Sequence, residues 1–470
     1  MRKIGLLVLM ALTGCTMGPQ LPRQELPALP AAYSETTGSL KTAAAPADAP
    51  WWRAFRDPTL DQILESGLGG NLDIRQAQAR LAAAEAGIAS AGASGFPALT
   101  LGAASGATRE IGRMKQKQGV VQSTGYQLSA SWLLDLFGEV RSQIQSAEAA
   151  RDAAKAATEV ARLALTSALA SQYVEARHQQ ELAAITARSL AARRRALALT
   201  QGLQREGMAS GLDVSRSEEA MRAIAAEQPL QEANFRRAAH RMATLIGQPA
   251  TALVPLLDRP AAQPEPAWPA ETGVPADLLR NRPDIRRAEL DYLGSLAEIG
   301  FAWSQLFPSV TLSGSIAPSY VKTSAASGHL TTWSFGPQLK LPIFDGGRLN
   351  ANVKIAVARA QEKEAAWRAS VLAAVEEVET ALVSYRREAA TLSRTQARLR
   401  AAQRSADLAR AAYREGLSAA FEMLDAERQL SDAQTAQAQS RRNLALHYIA
   451  LSVALGRGLP GPGSSRPAAG

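Results

Sequence analysis

One segment of this chain is written twice. Asp73-Ile74-Arg75, Phe96-Pro97 and Thr100-Leu101 return as Asp284-Ile285-Arg286, Phe307-Pro308 and Thr311-Leu312, each pair 211 residues apart with no gap between them. Two later landmarks, Phe137-Gly138 against Phe344-Asp345 and Arg205-Glu206-Gly207 against Arg414-Glu415-Gly416, recur at nearly that spacing. A period of about 210 residues is far beyond that of a solenoid, so the chain is a duplicated domain and not an array. What one copy contains therefore decides the fold.

Each copy reads as a short helix, two strands, a very long helix, a turn and a shorter helix. The first helix runs from about Asn71 through Ala77, Leu81 and Ile88 to a break at Gly92 to Gly95. Its twin opens at Pro283, a residue suited to the first helical position, with Asp284 at the positive end of the helix dipole. Alternation follows. Leu99, Leu101 and Ala103 oppose Thr100, Gly102 and Ala104, and Tyr126, Leu128, Ala130 and Trp132 oppose Gln127, Ser129 and Ser131. Copy two repeats the pattern with Val310, Leu312 and Ile316, then with Trp333, Phe335, Leu339 and Leu341. Period-two alternation with one apolar face predicts strands, and any one of them alone would read as the edge of a soluble sandwich. Runs of about ten such residues, with an export signal and a lipid site at the N-terminus and with Tyr126, Trp132, Trp333 and Phe335 placed like an interfacial girdle, favour strands of the membrane-barrel kind. An open edge in lipid leaves backbone groups unpaired, and four strands are too few to close a barrel. Several copies of the chain must therefore pool their strands.

The strands lead into uninterrupted helical patterns at Glu139 to Glu206 and Arg348 to Glu415, 68 residues each. Helical throughout, each would span roughly 100 Å, which no compact soluble domain accommodates. Val140, Ile144, Ala147, Ala154, Ala161, Leu165 and Ala168 in one, and Val371, Val375, Val378 and Leu382 in the other, form seams that allow close, coiled-coil-like packing. Gly-containing turns follow, and shorter helices return over about Leu212 to Ile246 and Ser418 to Leu455. A return of this length covers only half the outward helix, and the short helix that opens each copy can fill the rest by stacking end to end with it.

Composition agrees with long helices at close range, since Ala is the commonest residue and only 5% of the chain is aromatic. The net charge of +9 permits an anionic partner. Its Lys and Arg, however, are interleaved with Glu and Gln as on solvated helix faces, and no nucleic-acid-binding motif is present. Arg193-Arg194-Arg195 reads as such a face. The N-terminus carries Arg2-Lys3, a short apolar run from Ile4 to Leu12, and then Leu12-Thr13-Gly14-Cys15 with the only cysteine. The run is too short to span a bilayer and reads as an export signal. Small residues before Cys15 resemble a bacterial lipobox. That resemblance implies removal of residues 1–14 and a diacylglycerol on the Cys15 thiol, the alternative being an ordinary signal with an accidental cysteine. Thr16 resembles outer-membrane sorting. With more than one acyl chain, at about 0.8 kcal/mol per buried CH₂, the anchor would be stable. The domain reading is then 1–14 signal peptide, 15–50 extended tether, 51–254 repeat 1, 255–275 Pro-rich linker, 276–457 repeat 2 and 458–470 disordered tail.

Trp51-Trp52 with Phe55 and Asp57-Pro58-Thr59-Leu60, then Asn281-Arg282-Pro283-Asp284-Ile285-Arg286-Arg287-Ala288-Glu289, then Pro342-Ile343-Phe344-Asp345-Gly346-Gly347-Arg348 and the Glu376-Glu377-Val378-Glu379 stretch resemble the outer-membrane efflux family of TolC-like channels, in its lipoprotein branch. The likeness covers nearly all of the mature chain. It implies a mainly α fold with a small membrane β-barrel, a homotrimer of twelve strands and twelve helical columns, and partners in a periplasmic adaptor and an inner-membrane transporter. It also places Asp425 as an acidic residue of a periplasmic gate, with Phe421 as its apolar constriction. Asp213 is the corresponding residue of copy one, with Arg216 in reach to pair with it. A ring of three Asp425 side chains would select cations and resist closure without counter-ions. The bland alternative for Asp425 is a solvated carboxylate near a helix start.

Catalytic and cofactor chemistry is not motivated. His178, His240, His329 and His447 are widely separated, and no P-loop, dinucleotide fingerprint or nucleophile elbow occurs. Asp345-Gly346-Gly347-Arg348 reads as a strand-to-helix turn in which Asp345 caps the helix. The function expected is a passive outer-membrane exit duct for small toxic compounds. Alternatives are a channel of the same fold for protein or polysaccharide secretion, and a non-conducting envelope scaffold.

Overall fold

The computed structural model describes residues 30–34, 50–109, 120–267 and 277–458. Cys15, the signal segment, most of the tether, part of the linker and residues 459–470 lie outside them. In chain order come a 3-10 turn (Trp51–Phe55), α1 (Pro58–Gly70), α2 (Leu72–Ala93), β1 (Ala98–Thr108), β2 (Val121–Leu134), α3 (Glu139–Arg205), α4 (Gly211–Ala225), α5 (Gln228–Leu245), α6 (Val254–Leu257), α7 (Leu278–Asn281), α8 (Pro283–Ser304), β3 (Ser309–Lys322), β4 (Ser327–Lys340), α9 (Arg348–Arg414) and α10 (Ala420–Ala454). Two compact units result. A sheet unit takes residues 79–155 and 287–368, and a helical unit takes 27–78, 156–286 and 369–458.

In the sheet unit the four strands lie in the order β1-β2-β3-β4, all antiparallel. The register aligns most of the large apolar residues on one face, with Leu133, Val321 and Leu330 on the other. Leu101 opposes Leu128, Leu128 opposes Ile316 and Ile316 opposes Trp333, while Trp132 opposes Leu312 and Val310 opposes Leu339. The other face carries Thr100, Ser129, Ser313, Ser315 and Ser334, with Ser315 and Ser334 hydrogen-bonded across the pair at 3.0 Å. Pro318 has no N–H to give, and the β2–β3 ladder skips the neighbouring Tyr126 and Gln127. Two aspartates turn strand into helix. Asp135 accepts from the Val140 and Arg141 amides at 3.2 and 3.0 Å, and Asp345 from those of Gly347 and Leu349 at 2.9 and 2.8 Å. The second is the capping role its sequence position predicts; the first had no such signal.

The duplication is visible in how helices stop. α3 and α9 are each 67 residues long, and both end in a left-handed glycine, Gly207 and Gly416. At each end the paired 6→1 and 5→2 amide bonds of a Schellman cap form, Met208 to Leu203 and Gly207 to Gln204 in one, Leu417 to Ala412 and Gly416 to Tyr413 in the other. The returning helices α5 and α10 end the same way at Gly247 and Gly456. There the shorter helices abut. A Cβ on Gly247 would lie 2.4 Å from the Gly70 carbonyl oxygen, and one on Gly456 would lie 2.6 Å from that of Asn281. Asn71 donates to the Leu245 carbonyl at 2.7 Å while its Oδ1 caps the Ile74 amide. Arg282, its twin 211 residues on, donates to the Ala454 carbonyl at 3.2 Å and to Asp284 and Glu377. The end-to-end stacking expected from helix lengths thus has a specific joint in each copy.

One expectation is corrected. The return in copy one is not a single helix over Leu212 to Ile246 but α4 and α5, broken at Ala226-Glu227, because Pro229 cannot donate to the Ala225 carbonyl. The linker and tether make specific contacts where they are described. Arg177, buried on α3, donates to the Leu257 and Arg259 carbonyls and to the Tyr173 hydroxyl, which in turn donates to Asp57, the N-cap of α1. Gln263 donates to the Ala438 carbonyl, and Glu265 pairs with Arg441 at 2.7 Å, so the linker is fastened to the second copy as well as the first. Tyr33 is buried, and Ser34 donates through both its amide and hydroxyl to Glu379.

Gly207 and Gly247 adopt nearly the same φ, 79° and 77°, but only Gly247 has backbone against it. Gly207→Ala is expected to cost about 1–2 kcal/mol for the left-handed conformation alone, and Gly247→Ala clearly more. Thermal loss of helical circular dichroism in detergent checks this, with Gly247→Ala melting well below Gly207→Ala.

Candidate functional site

At the turn end of the helical unit, α10 starts at Ala420 and brings Phe421 and Asp425, four residues apart, to one side of its first turns. Phe421 is exposed. Asp425 Oδ1 accepts from Arg428 at 2.8 Å and Oδ2 from Gln429 at 2.6 Å. The Arg428 guanidinium first, and then the Gln429 amide, hold the Asp425 carboxyl below the usual carboxylate range. Asp425 is half-buried and already carries a counter-charge on its own helix, one turn on. Asp213 is used differently. It forms a capping box with Ser210, accepting from the Ser210 amide and hydroxyl while its own amide donates to Ser210 Oγ. Those bonds hold its carboxyl low, and Arg216 acts on it only through space.

Beneath these residues Ala196, Tyr413, Ala420, Met423 and Leu424 form a core with Leu199 and Leu203 packed on it. Thr200 ties three helices together there. Its hydroxyl donates to the Ala196 carbonyl at 3.0 Å, lies 3.3 Å from the Tyr413 hydroxyl and receives that of Ser217 at 3.4 Å.

One turn deeper the sequence reading holds for Arg194 and Arg195, which are exposed, and fails for the residue before them. Arg193, read as part of a solvated Arg193-Arg194-Arg195 face, is only 5% exposed. Burial pushes its pKa down, and Glu427, itself buried on α10, partly offsets that. Arg410 Nε donates to Glu427 Oε1 at 3.1 Å and its Nη1 to Asp407 at 2.8 Å. Glu427 Oε2 and Arg193 Nε have no hydrogen-bond partner among the described residues. A cavity of about 350 Å³ opens beside them, lined by Arg188, Arg195, Gln403, Arg410, Glu427 and Gln434 among others. The signal for Arg193 was present in its spacing. Thr186, Leu190, Arg193, Ala196 and Thr200 are all buried, at helical steps of four, three, three and four.

On the sheet, Tyr126, Trp132, Trp333 and Phe335 share the apolar face but not one row. Trp132, Phe335 and Trp333 oppose Leu312, Gly314 and Ile316, successive steps along β3, and Tyr126 opposes Ala103 in β1. Trp132 also donates its indole N–H to the Gly95 carbonyl at 2.8 Å. These four lie in the sheet unit, and Asp425, Phe421 and Asp213 lie in the helical unit. No group of His, Cys, Asp and Glu fit to hold a metal occurs among the described residues. Nor does any described helix have the length and apolarity to cross a membrane.

Comparisons with known proteins fit this architecture. The family model described as outer membrane efflux protein matches residues 63–248 and 274–457, one stretch in each repeat. The chain is 40% identical over 448 residues to nodulation protein T of Rhizobium leguminosarum bv. trifolii, covering 95% of both. It is 30% identical to the outer membrane protein OprJ of Pseudomonas aeruginosa, covering 96% of this chain and 95% of that one. The solved structure of the outer-membrane channel OprN superimposes with a TM-score of 0.85 at 32% identity, over 94% of this chain and 99% of that one. With its duplicated strand pairs and long helical hairpins, and with relatives matched along nearly their whole length, this chain belongs to the outer membrane efflux protein family.

Proposed function

We propose that the chain is the passive outer-membrane exit duct of a tripartite efflux pump, working as a homotrimer with a periplasmic adaptor and an inner-membrane transporter. The reading rests on one observation above all, a four-stranded sheet with one continuous apolar face and with the outer edges of β1 and β4 unpaired among the described residues. Exposed apolar side chains as large as Trp333 and Phe335, at 78% and 73%, are at home in lipid. A free strand edge is not. Three sheets joined edge to edge would give twelve strands, within the range of membrane barrels, with the hydroxyl face lining water. The helical hairpins would continue the duct into the periplasm, and Asp425 and Phe421 would line its narrowed end. The duct breaks no bond; the partner transporter supplies the driving force. Residues 1–14 are removed as a signal peptide, and the lipid on Cys15 holds the N-terminus to the outer membrane.

The cargo proposed is small toxic compounds, in keeping with the efflux family. The 30% identity to Pseudomonas proteins named for pyoverdine export favours a second cargo, a secreted small product. Deletion separates the two. Susceptibility to toxic compounds rises in the first case, and a secreted product is lost in the second.

The purified protein is expected to form three-fold particles by electron microscopy and to conduct in planar bilayers; a monomeric, non-conducting particle would end the reading. Asp425→Asn is expected to lower the preference for cations, read as a shift of reversal potential in a tenfold KCl gradient. Cys15→Ser is expected to abolish labelling by radioactive palmitate and to release the N-terminus from the membrane.

A further inference from the structure

Formal charge is almost absent from the strands. Among the residues of β1 to β4 there is no Asp, Glu or Arg, and the only lysines are Lys322 and Lys340. Strand parity separates the two. Lys322 lies six residues after Ile316 and so shares its apolar face, at the end where β3 turns into β4, and His329, opposite Tyr320, lies on that face too. Leu339 opposes Val310 on the apolar face, so the next residue, Lys340, which opposes Ser309, lies on the hydroxyl face. It stands at the other end of the sheet, from which α9 leaves.

Nothing on the hydroxyl face opposes that charge. Besides Lys340, the face carries Val121, Leu133, Val321 and Leu330, and otherwise only Ser, Thr, Gln, Gly and Ala. The carboxylates nearest in sequence are engaged elsewhere. Asp135 and Asp345 accept from helix-start amides, and Lys340 has no ion pair among the described residues. Its side chain is exposed. The field of an unpaired ammonium therefore falls on whatever fills the space before this face. In a ring of twelve strands, about 4.8 Å apart and tilted about 40°, that space is roughly 24 Å across between backbones. The Debye length is about 30 Å at 0.01 M salt and about 3 Å at 1 M, so the charge reaches across the ring in the first case and not in the second.

We infer that Lys340 is a specificity-determining residue of the duct, one member of a cationic collar at the helix-side mouth of the sheet that favours anionic solutes over cationic ones. Its sign is opposite to that of Asp425, so the sheet unit and the helical unit sort charge separately. This rests on the trimeric duct proposed above and adds the charge class of solute that passes the sheet most readily.

A thiol beside Lys340 reads the field directly. Ser309 is its register partner, and side chains so paired lie about 5 Å apart. Full-length Ser309→Cys in liposomes is treated with two small methanethiosulfonates, one bearing a sulfonate and one a trimethylammonium group. Each rate is divided by that reagent's rate with free cysteine, and the unsubstituted protein gives the background from Cys15. The anionic reagent is expected to be favoured about tenfold at 0.01 M salt and hardly at all at 1 M. Adding Lys340→Gln is expected to bring the low-salt ratio close to one, and adding Lys340→Arg instead to keep it. Val310→Cys, on the apolar face, is expected to react far more slowly with both reagents. A conducting trimer whose Ser309→Cys shows no preference at low salt, keeps its preference after Lys340→Gln, or reacts with neither reagent would overturn the collar while leaving the duct standing. A particle that is neither trimeric nor conducting would overturn both.

Discussion

A helix of 35 residues cannot accompany one of 67 along its whole length, and most of the architecture follows from that mismatch. Most of the 32-residue shortfall is met by a second helix of 22 residues, which α2 and α8 supply, and it needs a joint between two helix termini. Helix ends leave carbonyls and amides unsatisfied, so a buried joint demands partners. Each copy meets the demand with the same parts. A left-handed glycine turns the chain away, a second close approach forbids any side chain there, and a polar residue from the abutting helix reaches back to a carbonyl of the last turn. Asn71 does this in one copy and Arg282 in the other. The arginine recruits Asp284 and Glu377 as well, which explains physically why the Asn281 to Glu289 and Glu376 to Glu379 segments go together.

Periodicity made the elements legible. Four strands, both 67-residue helices to within one residue of their ends, and the stacking of short helices on returning ones all follow from patterns long enough to outweigh local noise. What was not legible depended on single residues in company. Pro229 breaks a helix that its neighbours would have continued. Arg193 was read with Arg194 and Arg195 beside it in sequence rather than with Leu190 and Ala196 beside it on the helix, and so its burial against Glu427 was missed. Asp135 gave no hint of capping because its copy of the turn lacks the Gly-Gly step that points to Asp345. At the candidate gate, residue types were readable from resemblance, but their pairing was not. Only the fold shows that Ser210 occupies Asp213 while Arg428 and Gln429 occupy Asp425.

Charge at the turn end is therefore arranged in two tiers. The outer tier is partly exposed, and its ion pairs contribute little to stability. The inner tier is different. Glu427 and Arg193 are buried; removing Glu427 takes from Arg193 the charge that partly offsets its burial, whereas Glu427 keeps its pair with Arg410 when Arg193 is removed. Specific hydrogen bonding through Arg410 and the Thr200, Tyr413 and Ser217 hydroxyls sets how α3, α4, α9 and α10 meet at this level.

The break at Ala226-Glu227 sets the two hairpins apart. Their outward limbs are matched residue for residue, yet one return limb is jointed and the other is a single unbroken rod. The backbone hydrogen-bond ladder is accordingly interrupted at Pro229 in copy one and continuous along the return limb of copy two. Twins in ancestry, the hairpins are not twins in continuity, and the equivalence of the two repeats ends where that ladder is cut.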